Sequence, residues 1–261
     1  MAAHPHTSSN TSKLPRVVIV GLTSCFGCQL QITNDEAHLL DILSQFDLSY
    51  WQLTSSEKMP QNFDIAVIEG ALTTKESIET LKQLRDEAQV LITIGACAAT
   101  AGIPGLAAAS FEKRPHEVYD ELPTICGNVI SPRAVSEVVD VDFAVVGCPI
   151  DPAEFVEILN KALYGSNHST STRTMCSECK QNEQDCFFEN GTTCLGLLTQ
   201  AGCGARCVKL GRPCKGCRGI SPAANLDSAY LALEKYGVSP ADFRAALEVF
   251  NCTNPVLSRE D

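Results

Sequence analysis

The sequence predicts an α/β fold in two parts: a parallel-sheet domain over residues 14–165, and a small, irregular, cysteine-rich domain over 175–261 that ends in helices. Three observations favour this division. Short runs rich in valine and isoleucine alternate with helical patterns in the first part, a polar stretch of small residues follows, and eight of the fourteen cysteines then crowd into 42 positions. With 261 residues and 44% hydrophobic composition, the chain has enough apolar material for one large domain or two modest ones.

Five short apolar runs in the first part predict buried strands. They lie at 16–22, 47–53, 64–68, 89–95 and 142–147. Most are separated by helical patterns, which is typical of parallel strands joined by crossover helices. The first part is therefore predicted to be a flavodoxin-like or otherwise doubly wound sheet domain.

Two helices between these strands have recognisable start signals. Thr73 and Glu76 have the spacing of a capping box, and Asp151 followed by Pro152 supplies an N-cap and a favoured first helical residue. Two stretches rich in glycine, proline and small residues show no sustained period and are predicted as loops or insertions, at 102–114 and 115–132.

Composition sets the remaining boundaries. Residues 1–13 are polar and are predicted to be a disordered tail, and 166–174 read as a linker. The cysteine-rich stretch after it holds little apolar material, so metal ligation is the expected source of its cohesion. Helical patterns at 224–236 and 239–250 close the chain.

Charge and hydropathy exclude several function classes. Thirty-one acidic against twenty basic residues give a net charge of −11, which would repel a phosphate backbone, so nucleic-acid binding is not expected. No apolar run approaches the length of a membrane span, and the polar N-terminal residues resemble no export signal. We therefore expect a cytoplasmic protein without membrane insertion, in which cysteines serve as metal ligands rather than disulfides.

Four cysteines of the first part are predicted to meet at one sheet edge. Cys25 and Cys28 follow the first strand, Cys97 follows the fourth, and Cys148 follows the fifth. Open α/β sheets bind ligands at the carboxyl ends of their strands. Four thiolates there would suit a 4Fe-4S cluster, with neighbouring glycines letting backbone N–H groups approach it. The alternative is a redox CxxC motif beside two ordinary core cysteines.

The second part carries a denser set of eight cysteines, which divides naturally into two groups of four. They are Cys176, Cys179, Cys186 and Cys194, then Cys203, Cys207, Cys214 and Cys217. Zinc is the competing interpretation, because zinc ribbons use the same CxxC knuckles. Residues 173–218 hold seven basic against four acidic residues. This positive charge favours negatively charged iron-sulfur clusters over zinc, and binding of a partner by the same charge is the alternative.

Nine stretches of the chain together resemble one known family. They are Leu22-Thr-Ser-Cys-Phe-Gly-Cys-Gln-Leu30, Ile68-Glu-Gly70, Gly95-Ala-Cys97, Gly102-Ile-Pro-Gly105, Gly147-Cys-Pro149, Cys176-Ser-Glu-Cys-Lys180, Cys194-Leu-Gly196, Ala201-Gly-Cys-Gly-Ala-Arg-Cys207 and Pro213-Cys-Lys-Gly-Cys-Arg-Gly219. The order and context of all twelve cysteines resemble the small, electron-transfer subunit of cytoplasmic NiFe hydrogenases. The similarity is greatest to the delta subunits of the NAD(P)-linked, bidirectional sulfhydrogenase group.

This resemblance implies three 4Fe-4S clusters and assigns their ligands. The proximal cluster would take Cys25, Cys28, Cys97 and Cys148; the medial one Cys203, Cys207, Cys214 and Cys217; and the distal one Cys176, Cys179, Cys186 and Cys194. It also implies a large subunit that carries the NiFe site, where H2 is oxidised or protons are reduced, and iron-sulfur/flavin subunits of the diaphorase type as partners. No residue of this chain is expected to be catalytic. The chain is expected to hold no flavin, since Cys25 and Cys28 occupy the place of a phosphate-binding loop, and no nickel, since the Asp-Pro-Cys context of a hydrogenase large subunit is missing.

Other interpretations stay open at this stage. An iron-sulfur relay subunit of a complex I-like oxidoreductase would hold similar clusters, although that subunit's adjacent paired cysteines are absent because Phe26 follows Cys25. A zinc-binding interaction scaffold is the third possibility. Glu69, near the proposed proximal cluster, is predicted to be a structural hydrogen-bonding group, with tuning of that cluster or proton transfer as the alternative. The two leftover thiols, Cys126 and Cys252, are expected to be free.

Overall fold

The computed structural model describes residues 14–36, 39–122, 124–125, 127–167 and 169–258. The predicted disordered tail at 1–13 and the leftover Cys126 lie outside these residues.

A five-stranded parallel sheet forms the centre of the first part. The strands of the chain are β1 (Arg16–Gly21), β2 (Asp47–Trp51), β3 (Ile65–Glu69), β4 (Leu72–Thr74), β5 (Val90–Ile94), β6 (Val129–Arg133) and β7 (Phe143–Val145). The parallel sheet has the order β2-β1-β3-β5-β7, with β4 and β6 outside it. Counting only its own strands, this is the flavodoxin-like order, whose switch point lies between β1 and β3. All five predicted strands are confirmed, with ends that differ by one or two residues.

Helices cover both faces of this sheet, and four helices lie in the described residues of the second part. They are α1 (Gly27–Thr33), α2 (Leu39–Leu43), α3 (Lys75–Glu87), α4 (Gly95–Thr100), α5 (Arg114–Val118), α6 (Pro152–Tyr164), α7 (Met175–Gln181), α8 (Arg206–Lys209), α9 (Leu226–Tyr236) and α10 (Pro240–Asn251). Shorter 3-10 turns occur at Pro104–Ser110, Val135–Glu137, Phe187–Asn190, Leu195–Leu197 and Pro255–Ser258. The central strands are buried on both faces, and all five residues of β3 are buried.

The predicted start of α6 is confirmed, whereas that of α3 is wrong by one residue. Asp151 caps α6 by accepting a 2.9 Å hydrogen bond from the Ala153 backbone N–H. In α3, the capping box is formed by Thr74 and Ser77 rather than by Thr73 and Glu76. The Thr73 hydroxyl instead lies 2.6 Å from that of Thr23, in the loop after β1. A tertiary contact thus occupies the side chain that local spacing had assigned to the cap.

The stretch predicted as loops between 102 and 132 is more ordered than expected. It contains a 3-10 turn, the short helix α5, and strand β6, which pairs antiparallel with β4. The Asn128 backbone N–H also donates to Glu76 in α3 over 2.7 Å. Strands as short as β4 leave no periodic signal, so a pairing between positions so far apart in the chain could not be predicted from pattern alone.

The second part has its own small core and packs against the first. Buried apolar side chains from α7, α9 and α10 and the turns between them form this core together with Cys194 and Cys214. The two predicted C-terminal helices are confirmed as α9 and α10. The end of α10 is joined to α4, where the Thr100 hydroxyl donates to the Phe250 carbonyl over 2.7 Å. The described residues of 166–173 form neither helix nor strand.

Candidate metal centres

The structure brings the first four predicted ligands together at the carboxyl edge of the parallel sheet. Cys25 lies in the loop between β1 and α1, and Cys28 lies in the first turn of α1. Cys97 lies in α4 directly after β5, and Cys148 follows β7. The Cys97 thiol interacts electrostatically with Cys25, the Cys148 thiol with both Cys97 and Cys25, and the Cys28 thiol with Cys148 and Cys97. These four residues are called the proximal group below.

Backbone conformation makes this close approach possible. Gly95 has a φ of +83°, and a Cβ at this position would clash with the Cys28 sulfur. The next residue, Ala96, donates its backbone N–H to the Gly147 carbonyl over 2.7 Å, which joins the loop that carries Cys97 to the loop that carries Cys148. A side chain on Gly95 would therefore occupy space that the thiols of the proximal group share.

Glu69 lies beneath the proximal group at the end of β3 and is only 1% exposed. Its carboxylate accepts hydrogen bonds of 3.2 Å from the backbone N–H groups of Cys28 and Gln29, at the start of α1. The short helix that carries Cys28 is thereby fixed to the sheet. These contacts are of the kind expected for Glu69 as a structural hydrogen-bonding group.

Burial is the largest cause of the raised pKa of three thiols of the proximal group. It raises the pKa of Cys28, and the charge of Glu69 raises it further. Burial also raises the pKa of Cys97 and of Cys148, and the charges of neighbouring thiols raise both pKa values further. Because these thiols have few positive neighbours, bound iron would have to supply the positive charge that makes them thiolates. The four thiols therefore suit a metal centre whose binding displaces the thiol protons.

The next four cysteines form a second cluster of thiols, called the distal group. Burial raises the pKa of Cys176 to about 12, with Cys194, Cys179 and Cys186 contributing in that order and Lys180 opposing them. The Cys194 thiol likewise interacts with Cys186 and Cys179. All four members therefore lie within electrostatic reach of one another.

The last four cysteines form the medial group, which lies between the other two groups. Burial raises the pKa of Cys217 to about 11, with contributions from Cys203, Cys148 and Cys207. On the proximal side, the Cys148 backbone N–H forms a hydrogen bond to the Cys217 thiol and partly opposes that rise. On the distal side, the Cys214 backbone N–H donates to the Cys194 sulfur over 3.3 Å.

The thiols within each group interact, but no group is arranged as the site of one metal ion. In the part of the chain that the structure describes, no three His, Cys, Asp or Glu side chains are arranged as ligands of one metal ion. Among these same residues, no helix combines the length and the apolar character needed to cross a membrane.

Two charged residues beside the cysteines were not predicted as part of the site. Glu178 accepts hydrogen bonds from the backbone N–H groups of Gly202 and Ala205, over 2.7 and 3.3 Å, and so joins α7 to the loop around Cys203. Arg218 is buried between the two parts of the chain. Each lies next to a predicted ligand in sequence, Glu178 before Cys179 and Arg218 after Cys217. This adjacency is the one feature of the sequence that could have indicated that they belong to the site.

Comparison with known proteins places the chain in a family. The family described as NADH ubiquinone oxidoreductase, 20 Kd subunit, matches residues 25–162. Sulfhydrogenase 2 subunit delta of Pyrococcus furiosus is 31% identical over 215 residues, covering 82% of this chain and 90% of its own length. The NAD-reducing hydrogenase HoxS subunit delta of Cupriavidus necator is 27% identical over 179 residues, or 62% of this chain and 84% of its own.

Solved structures show the same fold. A chain of an NAD+-reducing [NiFe]-hydrogenase in the H2-reduced state superposes with a TM-score of 0.55 at 24% identity, covering 60% of this chain and 96% of that one. A chain of the actinobacterial-type NiFe-hydrogenase from Ralstonia eutropha H16 gives a TM-score of 0.58 at 17% identity, covering 95% and 92%. This chain therefore belongs to the NADH ubiquinone oxidoreductase 20 kDa subunit family and, within it, to the small, delta-type subunits of NiFe hydrogenases.

Proposed function

We propose that this chain relays electrons between the NiFe site of a separate large subunit and iron-sulfur/flavin partners of the diaphorase type, through three 4Fe-4S clusters. The observation that carries the proposal is the order of the three thiol groups. Cys217 of the medial group contacts Cys148 of the proximal group, and Cys214 contacts Cys194 of the distal group. A relay needs its centres in such a continuous series.

The ligands follow from the three groups. The proximal cluster is proposed on Cys25, Cys28, Cys97 and Cys148, the medial cluster on Cys203, Cys207, Cys214 and Cys217, and the distal cluster on Cys176, Cys179, Cys186 and Cys194. When bound, each cluster would accept and release one electron at a time. The chain's own residues supply the thiols, of which Cys28, Cys194 and Cys214 are buried and six others are half-buried. Glu69 and Glu178 hold loops that carry them.

Four thiolates per cluster keep the reduction potential low, because each adds negative charge where a neutral ligand would not. A low potential suits electron exchange between H2 and NAD(P), which we propose as the overall reaction of the assembled enzyme. We also propose that the protein is cytoplasmic and that nickel and flavin reside only in partner chains.

A complex I-like relay is the alternative function, since the matching family is described by the 20 kDa subunit of NADH ubiquinone oxidoreductase. The 31% identity to a sulfhydrogenase delta subunit favours the hydrogenase. The two functions differ in the partner chain, because only a hydrogenase large subunit would bring nickel into the complex.

The deciding experiment measures iron, acid-labile sulfide, zinc and nickel per chain in the anaerobically purified complex. We expect about twelve iron and twelve sulfide, with nickel following a larger second subunit. Cys25→Ser should remove the proximal cluster and block H2-dependent dye reduction, while Cys217→Ser should spare the proximal cluster. Cys252→Ser is the matched control, because Cys252 belongs to no group, and it should leave the iron content unchanged.

Three results would contradict parts of this proposal. About two zinc ions with little iron would replace the outer clusters with a zinc scaffold. A full iron content without nickel in any co-purifying chain would favour the complex I-like relay. Retained H2-dependent dye reduction in a Cys25→Ser complex that lacks the proximal cluster would overturn the order of the relay.

A further inference from the structure

Arg218 is a buried cation at the junction between the two parts of the chain. Its side chain is 2% exposed, and its guanidinium pairs with Glu154 of α6 through two parallel contacts, Nη1 to Oε2 and Nη2 to Oε1, each of 2.7 Å. Arg218 directly follows Cys217 of the medial group, whereas Glu154 lies in the first turn of a helix of the sheet domain. The ion pair therefore crosses from one part of the chain to the other.

The same guanidinium also holds two backbone carbonyls that flank proposed cluster ligands. Nη1 donates to the Val146 carbonyl over 2.7 Å, two residues before Cys148. Nε donates to the Ala201 carbonyl over 3.2 Å, two residues before Cys203. One rigid, planar group thus connects the loop of the proximal group to two loops of the medial group.

The surroundings of Arg218 leave little room for another arrangement. A Cβ on Gly202, whose φ is +128°, would clash with Nη2 of Arg218. Glu154 is in turn fixed by α6, whose first turn is set by the Asp151 cap and by Pro152. Both partners of the ion pair are therefore held in place by the backbone around them.

Energetics suggest why an ion pair stands at this junction. Moving two charges out of water is unfavourable, so a buried ion pair adds little net stability compared with apolar packing. Its advantage is a defined geometry, because the arginine fork fixes both the direction and the distance of its partners. Apolar packing would be enough to hold the two parts of the chain together. A junction that must also fix the distance between them benefits from the defined geometry of an arginine–carboxylate pair.

We propose that Arg218 and Glu154 are positioning residues that set the spacing between the proximal and medial clusters. This inference rests on the proposed relay. With both clusters bound, the chain would hold the loops of Cys148 and Cys217 at a fixed spacing while one electron passed from the proximal to the medial cluster, and no bond or proton would change place. Electron tunnelling weakens steeply with distance, so a fixed spacing between Cys148 and Cys217 maintains the transfer rate.

The experiment uses the complete, anaerobically purified complex and measures the magnetic interaction between the reduced proximal and medial clusters by EPR. Arg218→Lys keeps the positive charge, but a single ammonium group cannot reproduce the two-point contact with Glu154 together with both carbonyl contacts. We expect all three clusters to remain and the splitting between the proximal and medial signals to be lost or reduced. Electron transfer from H2 to an external dye should slow in parallel.

Two further variants keep the test decisive. Glu154→Gln preserves size and one acceptor oxygen, so it serves if Arg218→Lys does not fold, and it should reduce the splitting as well. Arg85→Lys is the matched control: Arg85 pairs with Asp142 over 2.6 Å at the opposite end of β7, away from the thiol groups. It should leave the splitting unchanged.

The outcomes separate this inference from the proposed relay. An unchanged splitting in Arg218→Lys or Glu154→Gln, with all clusters present, overturns the positioning role and leaves the relay standing. Loss of the medial cluster itself in Glu154→Gln also overturns it, because the pair would then be needed for cluster assembly rather than for spacing. Absence of iron-sulfur signals from the wild-type complex overturns the relay and this role together.

Discussion

At the scale of single residues, Glu69 combines a structural and an electrostatic effect. Glu69→Gln keeps one acceptor for the backbone N–H groups of α1 but removes a negative charge next to Cys28. We expect the proximal cluster to have a higher reduction potential, because less negative charge then opposes the added electron. The protein should also lose about 1–3 kcal/mol of stability, since a buried acceptor is lost.

Redox titration followed by EPR would measure this shift for each cluster separately. Glu178→Gln is the matched control, because Glu178 makes the same kind of contact with the backbone N–H groups of Gly202 and Ala205 near the other groups. It should leave the proximal potential unchanged. Equal shifts of the proximal potential in both variants would show that the effect does not come from the local charge of Glu69.

Gly95 gives a second prediction at this scale. Gly95→Ala should prevent assembly of the proximal cluster, because the new Cβ clashes with the Cys28 sulfur. Gly165→Ala is the control: Gly165 also has a positive φ, of +67°, but no atom lies within 4 Å of the point that a Cβ would occupy there. Both variants should lose about 1–2 kcal/mol from backbone strain, and only the first should lose iron, as measured by iron analysis of the purified complex. Full iron content in Gly95→Ala would contradict the steric explanation.

The cysteines could be predicted as a site from the sequence because each follows a strand or belongs to a spaced motif. The charged residues around them could not. Glu154 was visible only as an acid in the first turn of a helix, and its partner Arg218 lies 64 positions away. Such pairs depend on how the two parts of the chain meet, and hydrophobic patterns carry no information about that.

At the scale of elements, the N-cap of α3 can be tested directly. The structure places it at Thr74, whereas local spacing in the sequence predicts Thr73. Thr74→Ala removes the hydroxyl that accepts from the Ser77 backbone N–H over 3.1 Å. It should cost about 1 kcal/mol of unfolding free energy, the usual value for a lost N-cap. Thr73→Ala is the comparison, because the hydrogen bond between the Thr73 and Thr23 hydroxyls is exposed and its loss should cost less. Urea unfolding of both variants measures the difference, and a larger loss for Thr73→Ala would reverse the assignment of the cap.

The strands differ in how well the hydrophobic pattern of the sequence predicts them. Each buried strand of the parallel sheet is a continuous apolar run, so β1, β3 and β5 were recognisable from composition. The pair β4 and β6 was not, because β4 is three residues long and β6 contains Pro132. Their pairing depends on contacts between distant parts of the chain rather than on local preference.

At the scale of the whole molecule, charge is distributed unevenly. The chain has a net charge of −11, yet residues 173–218, which hold the medial and distal groups, contain seven basic and four acidic residues. Four of the basic residues are exposed along one short segment around α8: Arg206, Lys209, Arg212 and Lys215. This segment, 206–215, also carries Leu210, which is 71% exposed.

An exposed basic surface next to the outer thiol groups should attract an acidic electron acceptor. Reversing two of these charges, in Lys209→Glu with Arg212→Glu, should lower the second-order rate constant for reduction of an acidic acceptor protein by the H2-fed complex. Because salt screens such attraction over about 8–10 Å, the difference from wild type should shrink as ionic strength rises. Lys82→Glu on α3 provides an exposed control far from this segment in sequence, and it should leave the rate close to the wild-type value. If the double variant matches wild type at low ionic strength, the acceptor does not approach this surface, and the positive charge of the segment serves the clusters alone.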